Sequence, residues 1–405
     1  ICSLSRWFYE WGNAVFTTTV FSSAVAGRCH PTSFFVVVLA LSGAIYPVVV
    51  HWLWSREGLL SAFHTSANNW DNFESGVMDL NGSGVIHITA GSCALMALFL
   101  LKPPKRTREP RESAPEAARQ KSEGPSGVAA DMAKSDLNTL PIHVFSMLMM
   151  WFGWLGLALG RVLVQAGPAT PSNTAARALI NTSLGGASGG FVSFMMYSGY
   201  EVLPGTRGGD ARAATNAGLL AGLVGISACA ATCEPYAAAI IGAASGTLCM
   251  ITRTFPWFED ATDVVSVHLV PGIFGMIAAA LASTKTYTRD LLYPDDMNYG
   301  AIYGGGGDLL ATNLLGAAAI LAWSLTTSGV LCILIRALEE AGSRASGGRR
   351  RWNPFSWSTL GRSRSTGKQD LPADDEPALA PTAFSEDPSQ PEQGSRQPIM
   401  QVQQT

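Results

Sequence analysis

Charge is what this 405-residue sequence has least of: Asp, Glu, Lys and Arg make up 14% of it, against about 25% in an ordinary soluble domain. An excess of either sign is also missing, because 27 Lys and Arg face 30 Asp and Glu for a formal net charge of -3. That balance speaks against a nucleic-acid binder. Paired cysteines are lacking too. The seven cysteines, an odd number, run from Cys2 to Cys332 and fall mostly inside apolar stretches, which is no secreted disulfide framework and reads as small core residues. The chain opens on Ile1 with no basic-then-apolar leader, so its N-terminus is expected to be incomplete. The glycine run 304–307 precedes an apolar span and lacks the Lys-Ser/Thr of a phosphate loop. No nucleophile–base pair and no metal constellation is visible, so neither an enzyme nor a cofactor is expected.

What is present is apolar length. Hydrophobic residues are 47%, with 42 glycines and 11 tryptophans, and the mean hydropathy is +0.20. The charge sits in two stretches, 102–136 and 339–405, both Pro- and Ser-rich and read as loop or disorder. The rest divides into nine apolar segments, near 8–27, 32–54, 79–101, 140–160, 174–198, 214–233, 235–252, 262–283 and 308–336. About 20 helical residues at 1.5 Å each cross a hydrocarbon core of about 30 Å. The fold class is therefore an all-α polytopic membrane protein, with a membrane domain over 1–338, a cytoplasmic loop near 102–136 and a disordered cytoplasmic tail over 339–405. With the N-terminus outside, Arg6, Arg56, Arg161, Arg177, Lys285 and Arg289 fall on the outer side and the rest of the 27 Lys and Arg on the inner, which puts the C-terminus inside. Trp52, Trp54 and Trp70 suit the outer interface. Small residues such as Gly185-Gly186-x2-Gly189-Gly190, Gly218-x3-Gly222 and Gly242-x3-Gly246 are the means of close helix packing.

Ionisable groups inside such segments are costly and therefore informative. The third span carries Asp79, His87 and Gly91, and the eighth carries Asp260, His268 and Gly272; both read D-x7-H-x3-G. Two matches at the starts of two spans of opposite direction indicate an inverted duplication, with a site at the repeat interface near the midplane. Eight residues carry each histidine about 12 Å beyond its aspartate, so His87 and His268 are expected to meet near mid-membrane. There they are neutral, one ring nitrogen donating and a neighbour accepting, and can line a polar file for small solutes. A buried histidine bonded to a carbonyl or hydroxyl is the plainer alternative. A metal site is the sharper rival, disfavoured because the aspartates stand about 12 Å away along their own helices and no Cys or His pair has ligand spacing. Asp79 and Asp260 are placed to cap helix N-termini. Asp79 would also make the outer mouth negative, and Asp263 reads as part of the second cap.

Five stretches then carry a resemblance. Tyr46-Pro47-x3-His51-Trp52-x-Trp54, Asp79-x2-Gly82-x-Gly84-Val85-x-His87, Trp151-Phe152-Gly153-Trp154, Ala221-Gly222-Leu223-Val224 and Asp263-Val264-x3-His268-x3-Gly272-Ile273-x-Gly275 resemble, in order and over nearly all of 8–336, the ammonium transporter family. The resemblance implies an eleven-helix inverted-repeat fold, here starting at the family's third helix with the first two missing. It also implies a trimer, as homotrimer or heterotrimer with related subunits, and residence in the plasma membrane. Function would be ammonium transport, with methylammonium as a second substrate. Trp54 would belong to the outer ammonium-recruiting site, Asp79 would be the carboxylate beneath it, and His87 and His268 the twin pore histidines. Ammonium would lose its proton near the vestibule and ammonia would pass the histidines. The departures are Asn13 and Leu157 where the family has gating phenylalanines, and Arg161 where a recruiting serine often stands. They motivate a second reading, a conduction-poor ammonium sensor or regulatory subunit of a trimer.

Overall fold

The computed structural model describes residues 3–62, 76–101, 125–166, 172–199, 211–255, 260–292 and 298–345. Its long helices follow the apolar segments: α1 Ser3–Val25, α2 Pro31–Trp54, α3 Ser83–Leu100, α4 Pro125–Ala166, α5 Ser172–Gly199, α6 Ala211–Ser227, α7 Pro235–Arg253, α8 Val265–Ala282 and, after the short α9 Lys285–Leu292, α10 Asp308–Ala345. Proline at the first helical position starts α2 and α7, where its missing N–H costs nothing. The His30 side chain caps α2 by accepting the Thr32 N–H.

Six of these helices, α2, α3, α4, α7, α8 and α10, contain stretches long and apolar enough to cross a membrane by length and composition alone. The others, α1, α5 and α6, are diluted by Ser, Thr and Gly. Large apolar side chains face outward along α1 (Leu4, Phe8, Val15) and α4 (Phe145, Leu148, Phe152), as a lipid-facing surface requires. Most of α3 and α8 is buried, whereas α4 is largely exposed on its apolar stretch. The two helices that bear the histidines are thus interior elements.

Backbone proximity explains the glycine spacing. Gly185 and Gly189 of α5 lie against Gly222 and Gly218 of α6 on one side and Gly242 and Gly246 of α7 on the other, where a Cβ on the α6 or α7 glycines would overlap the α5 backbone or a serine side chain. With little hydrophobic drive between helices in lipid, such close contact supplies the dispersion energy of association. Asn313 of α10 ties the centre: its side chain donates to the Met78 and Met276 carbonyls at 3.1 and 2.8 Å and accepts the Met78 N–H at 2.8 Å.

Two boundaries differ from the sequence expectation. Helix α4 begins at Pro125, inside the expected 102–136 loop, because proline at the helix start and the helix formers Ala129, Ala130, Met132, Ala133, Leu137 and Leu140 sustain helix ahead of the apolar stretch. Helix α10 runs to Ala345, past the expected tail start at Glu339, supported by the Arg336–Glu340 pair at 3.1 Å one turn apart. Residues 102–124 and 346–405, and with them most of the loop and tail, lie outside the described residues. Trp70 does too.

Candidate functional site: a histidine pair and a sealed cation seat

The two D-x7-H-x3-G segments fold alike. Three residues after each aspartate the backbone turns left-handed, at Gly82 (φ 95°) and at Asp263 (φ 56°), and a π-helical turn follows, Ser83–Ile88 in one and Val265–Leu269 in the other. The Gly82 carbonyl accepts from both Ile86 and His87 at 3.0 Å, which is how a wide turn starts. Such turns are rare and cluster at functional sites, because the extra residue resets which way the following side chains point.

Each aspartate secures its turn. Asp79 is 1% exposed, and its carboxylate accepts the Gly82, Gly84 and Val85 N–H groups at 3.0, 2.9 and 2.8 Å. Asp260 accepts those of Val264 and Val265 at 3.0 and 2.8 Å. Charge-assisted bonds to otherwise orphaned donors are the strong kind. The Asp79 carboxylate therefore faces its own loop, not the mouth, where the sequence had suggested an outward negative charge. Asp263 differs also: its carboxylate pairs with the Arg253 guanidinium at 3.1 Å, an ion pair across the α7–α8 connection.

The crossing of α3 and α8 is reciprocal. A Cβ on Gly91 would stand 2.7 Å from the Leu269 Cβ, and one on Gly272 would stand 2.7 Å from the Ser83 carbonyl oxygen and 3.3 Å from the Ile88 nitrogen. Each repeat's glycine thus meets the residue that follows the other's histidine. At that crossing the imidazoles stack, centroids 5.0 Å apart and planes at 17°, with the two Nδ1 atoms 3.1 Å apart. One Nδ1 must donate and the other accept, so the rings are opposite tautomers. Trp154 stacks on His87 at 5.2 Å and Phe16 meets it edge-on at 5.7 Å. His87 is fully buried and its Nε2 has no hydrogen-bond partner among the described residues, whereas His268 is partly exposed.

The residues that depart from the family pattern converge in a second cluster. Trp54, 3% exposed, donates its indole N–H to the Asp79 carbonyl at 2.7 Å. The Arg161 guanidinium covers its face at 3.5 Å from the ring centroid. Arg161 donates to Glu10 through both terminal nitrogens, at 3.0 and 3.3 Å. Asn13, also buried, donates to Glu10 at 3.1 Å, and Tyr9, one turn earlier on α1, donates to the Leu157 carbonyl at 2.8 Å. Glu10 was missed by sequence reading; its only signal was a carboxylate in an apolar helix one turn before Asn13. A cleft of about 370 Å³ opens beside the cluster, with Arg6, Glu10, Tyr46, His51, Trp54 and Ser55 in its lining. The structure brings His87 to His268 and Trp54 to Asp79, Arg161 and Glu10. It does not bring Asp260 or Asp263 to either cluster by any of these bonds.

Comparison with known proteins places the chain in a family. The Ammonium Transporter Family matches residues 1–340. Ammonium transporter 1 member 2 of Oryza sativa subsp. japonica is 27% identical over 348 residues, covering 82% of this chain and 64% of its own length. Ammonium transporter 3 of Dictyostelium discoideum is 28% identical over 337 residues, covering 80% of this chain and 67% of its own length. The chain thus spans less than two thirds of the length of the first curated relatives it matches, 60–64%. Among solved structures, Mep2 of Candida albicans shares the fold with a TM-score of 0.58 at 19% identity, over 84% of this chain and 64% of that one, and a protein described as a sensor Amt protein does so at 0.57 and 21%, over 80% and 70%. This multi-pass membrane chain belongs to the ammonium transporter family.

Proposed function

We propose that the chain conducts ammonia, formed from ammonium, across a membrane along a path lined by His87 and His268, with Trp54 and the loop held by Asp79 framing the outer vestibule. The observation that carries the reading is the buried His87 Nε2, a hydrogen-bonding group with no partner among Trp154, Phe16 and the second imidazole. An orphaned polar atom costs about 1–3 kcal/mol, and a small polar solute at that position offsets it. A bare cation in the same aromatic surroundings loses its hydration without a counter-charge, so the neutral species is the one that passes. The imidazole pair also offers a proton a route from one ring to the next. The proposal includes an outer N-terminus, a cytoplasmic C-terminus, the plasma membrane and assembly as a trimer with copies of itself or related subunits.

The test is alkalinisation of the lumen of proteoliposomes containing the purified chain on an inward ammonium gradient. Faster alkalinisation than in empty liposomes, lowered in His87→Ala, supports the path; equality with empty liposomes rejects it. A second reading, a conduction-poor ammonium sensor or regulatory subunit, is favoured by the guanidinium that covers Trp54. It predicts that a folded protein adds nothing to the alkalinisation of empty liposomes.

A further inference from the structure

The Trp54 face has a cation seated closely on it, and that cation is part of the chain. Arg161 is 1% exposed and lies over the indole at 3.5 Å, with Tyr9 flanking it at 5.1 Å. Both terminal nitrogens are taken by Glu10, whose own second oxygen also accepts from Asn13. A guanidinium stacked on indole and held by a forked carboxylate has charge balance and geometry in its favour, set against the cost of burying it with an Nε that has no hydrogen-bond partner among the described residues. Any incoming cation must displace it from Trp54 and Glu10 or share the seat with a charge of the same sign, and both courses are unfavourable.

We propose that Arg161 is the specificity-determining residue of this vestibule: a resident cation that occupies the aromatic seat on Trp54, with Glu10 as its counter-ion, and so turns away ammonium and methylammonium. This rests on the histidine path described above and fixes what reaches it. The proton leaves ammonium in bulk water and not on Trp54, and the solute that arrives at His87 is already neutral. Arg161, Glu10 and Asn13 form one set: the arginine supplies the charge, the glutamate neutralises it, and the asparagine orients the glutamate.

Equilibrium binding of labelled methylammonium to the purified full chain tests this apart from transport. The wild-type chain is expected to show no saturable binding. The Glu10→Gln/Arg161→Ser double variant, which removes both charges together, is expected to gain one saturable site at least about tenfold tighter than any wild-type binding, and Trp54→Ala is expected to abolish it. Glu10→Gln/Arg161→Gln, closer in volume, makes the same test if serine leaves a cavity that unfolds the protein. Wild-type binding that Trp54→Ala removes would overturn the proposal, and so would a folded double variant that gains none. If the double variant gains the site while the wild type passes no ammonia, the histidine path fails and the arginine seat stands. Ammonia passage with no gain of binding in the folded variant is the reverse case.

Discussion

Gly91 and Leu269 approach so closely that a Cβ on the glycine would stand 2.7 Å from that of the leucine. Gly272 stands in the same relation to the stretch beside His87. The two contacts set the crossing of α3 and α8, and the crossing sets the distance between the imidazoles. Gly91→Val or Gly272→Val is therefore expected to force the helices apart, destabilise the protein by about 1–3 kcal/mol and lower ammonia passage. Thermal unfolding in detergent, beside lumen alkalinisation at matched protein content, checks both effects.

Asp79 holds three buried backbone N–H groups. Asp79→Ala orphans all three, and hydrogen bonds to a charged acceptor are each worth about 1.5–3 kcal/mol, so loss of folded protein is the expected result. Asp79→Asn keeps an acceptor in the same place and is expected to fold with an intermediate loss. Yield of monodisperse protein and melting temperature separate the three forms.

Glu10→Ala alone leaves Arg161 charged, buried and unpaired, at a cost of about 3–5 kcal/mol. Removing both charges in Glu10→Gln/Arg161→Ser is expected to recover most of that loss. The coupling in a double-mutant cycle of unfolding free energies reads the difference, and additive effects would contradict the pairing.

Asp263 occupies a left-handed conformation that costs a non-glycine residue about 1–2 kcal/mol, and in exchange pairs with Arg253. Asp263→Gly relieves the backbone while losing the ion pair and is expected to be near neutral. Asp263→Ala loses the pair and keeps the strain, and is expected to melt lower. The order of the two melting temperatures is the check.

Much of this was legible in the sequence because it is periodic or repeated. The apolar segments show in length alone, and D-x7-H-x3-G appears twice, so the meeting of His87 and His268 follows from helix rise and inversion. What stayed hidden depends on contacts between distant segments. Glu10 and Arg161 are 151 positions apart, and nothing local to either announces the other. The π-helical turns follow the left-handed residues at Gly82 and Asp263, and hydrophobic pattern does not register one extra residue in a turn. Asp263 reads as a cap by spacing, but its φ and the nearby Arg253 send its carboxylate elsewhere. The expected negative mouth failed for a similar reason: three backbone donors claim the Asp79 carboxylate first.

The central claim is that ammonia passes along a path lined by His87 and His268, and lumen alkalinisation of proteoliposomes on an ammonium gradient tests it most directly. The wild-type chain is expected to exceed empty liposomes, and His87→Ala and His268→Ala are each expected to lower the protein-dependent rate about tenfold, the worth of roughly one lost hydrogen bond. A rate that both histidine variants leave unchanged, or a folded wild-type protein that adds nothing to empty liposomes, would contradict it.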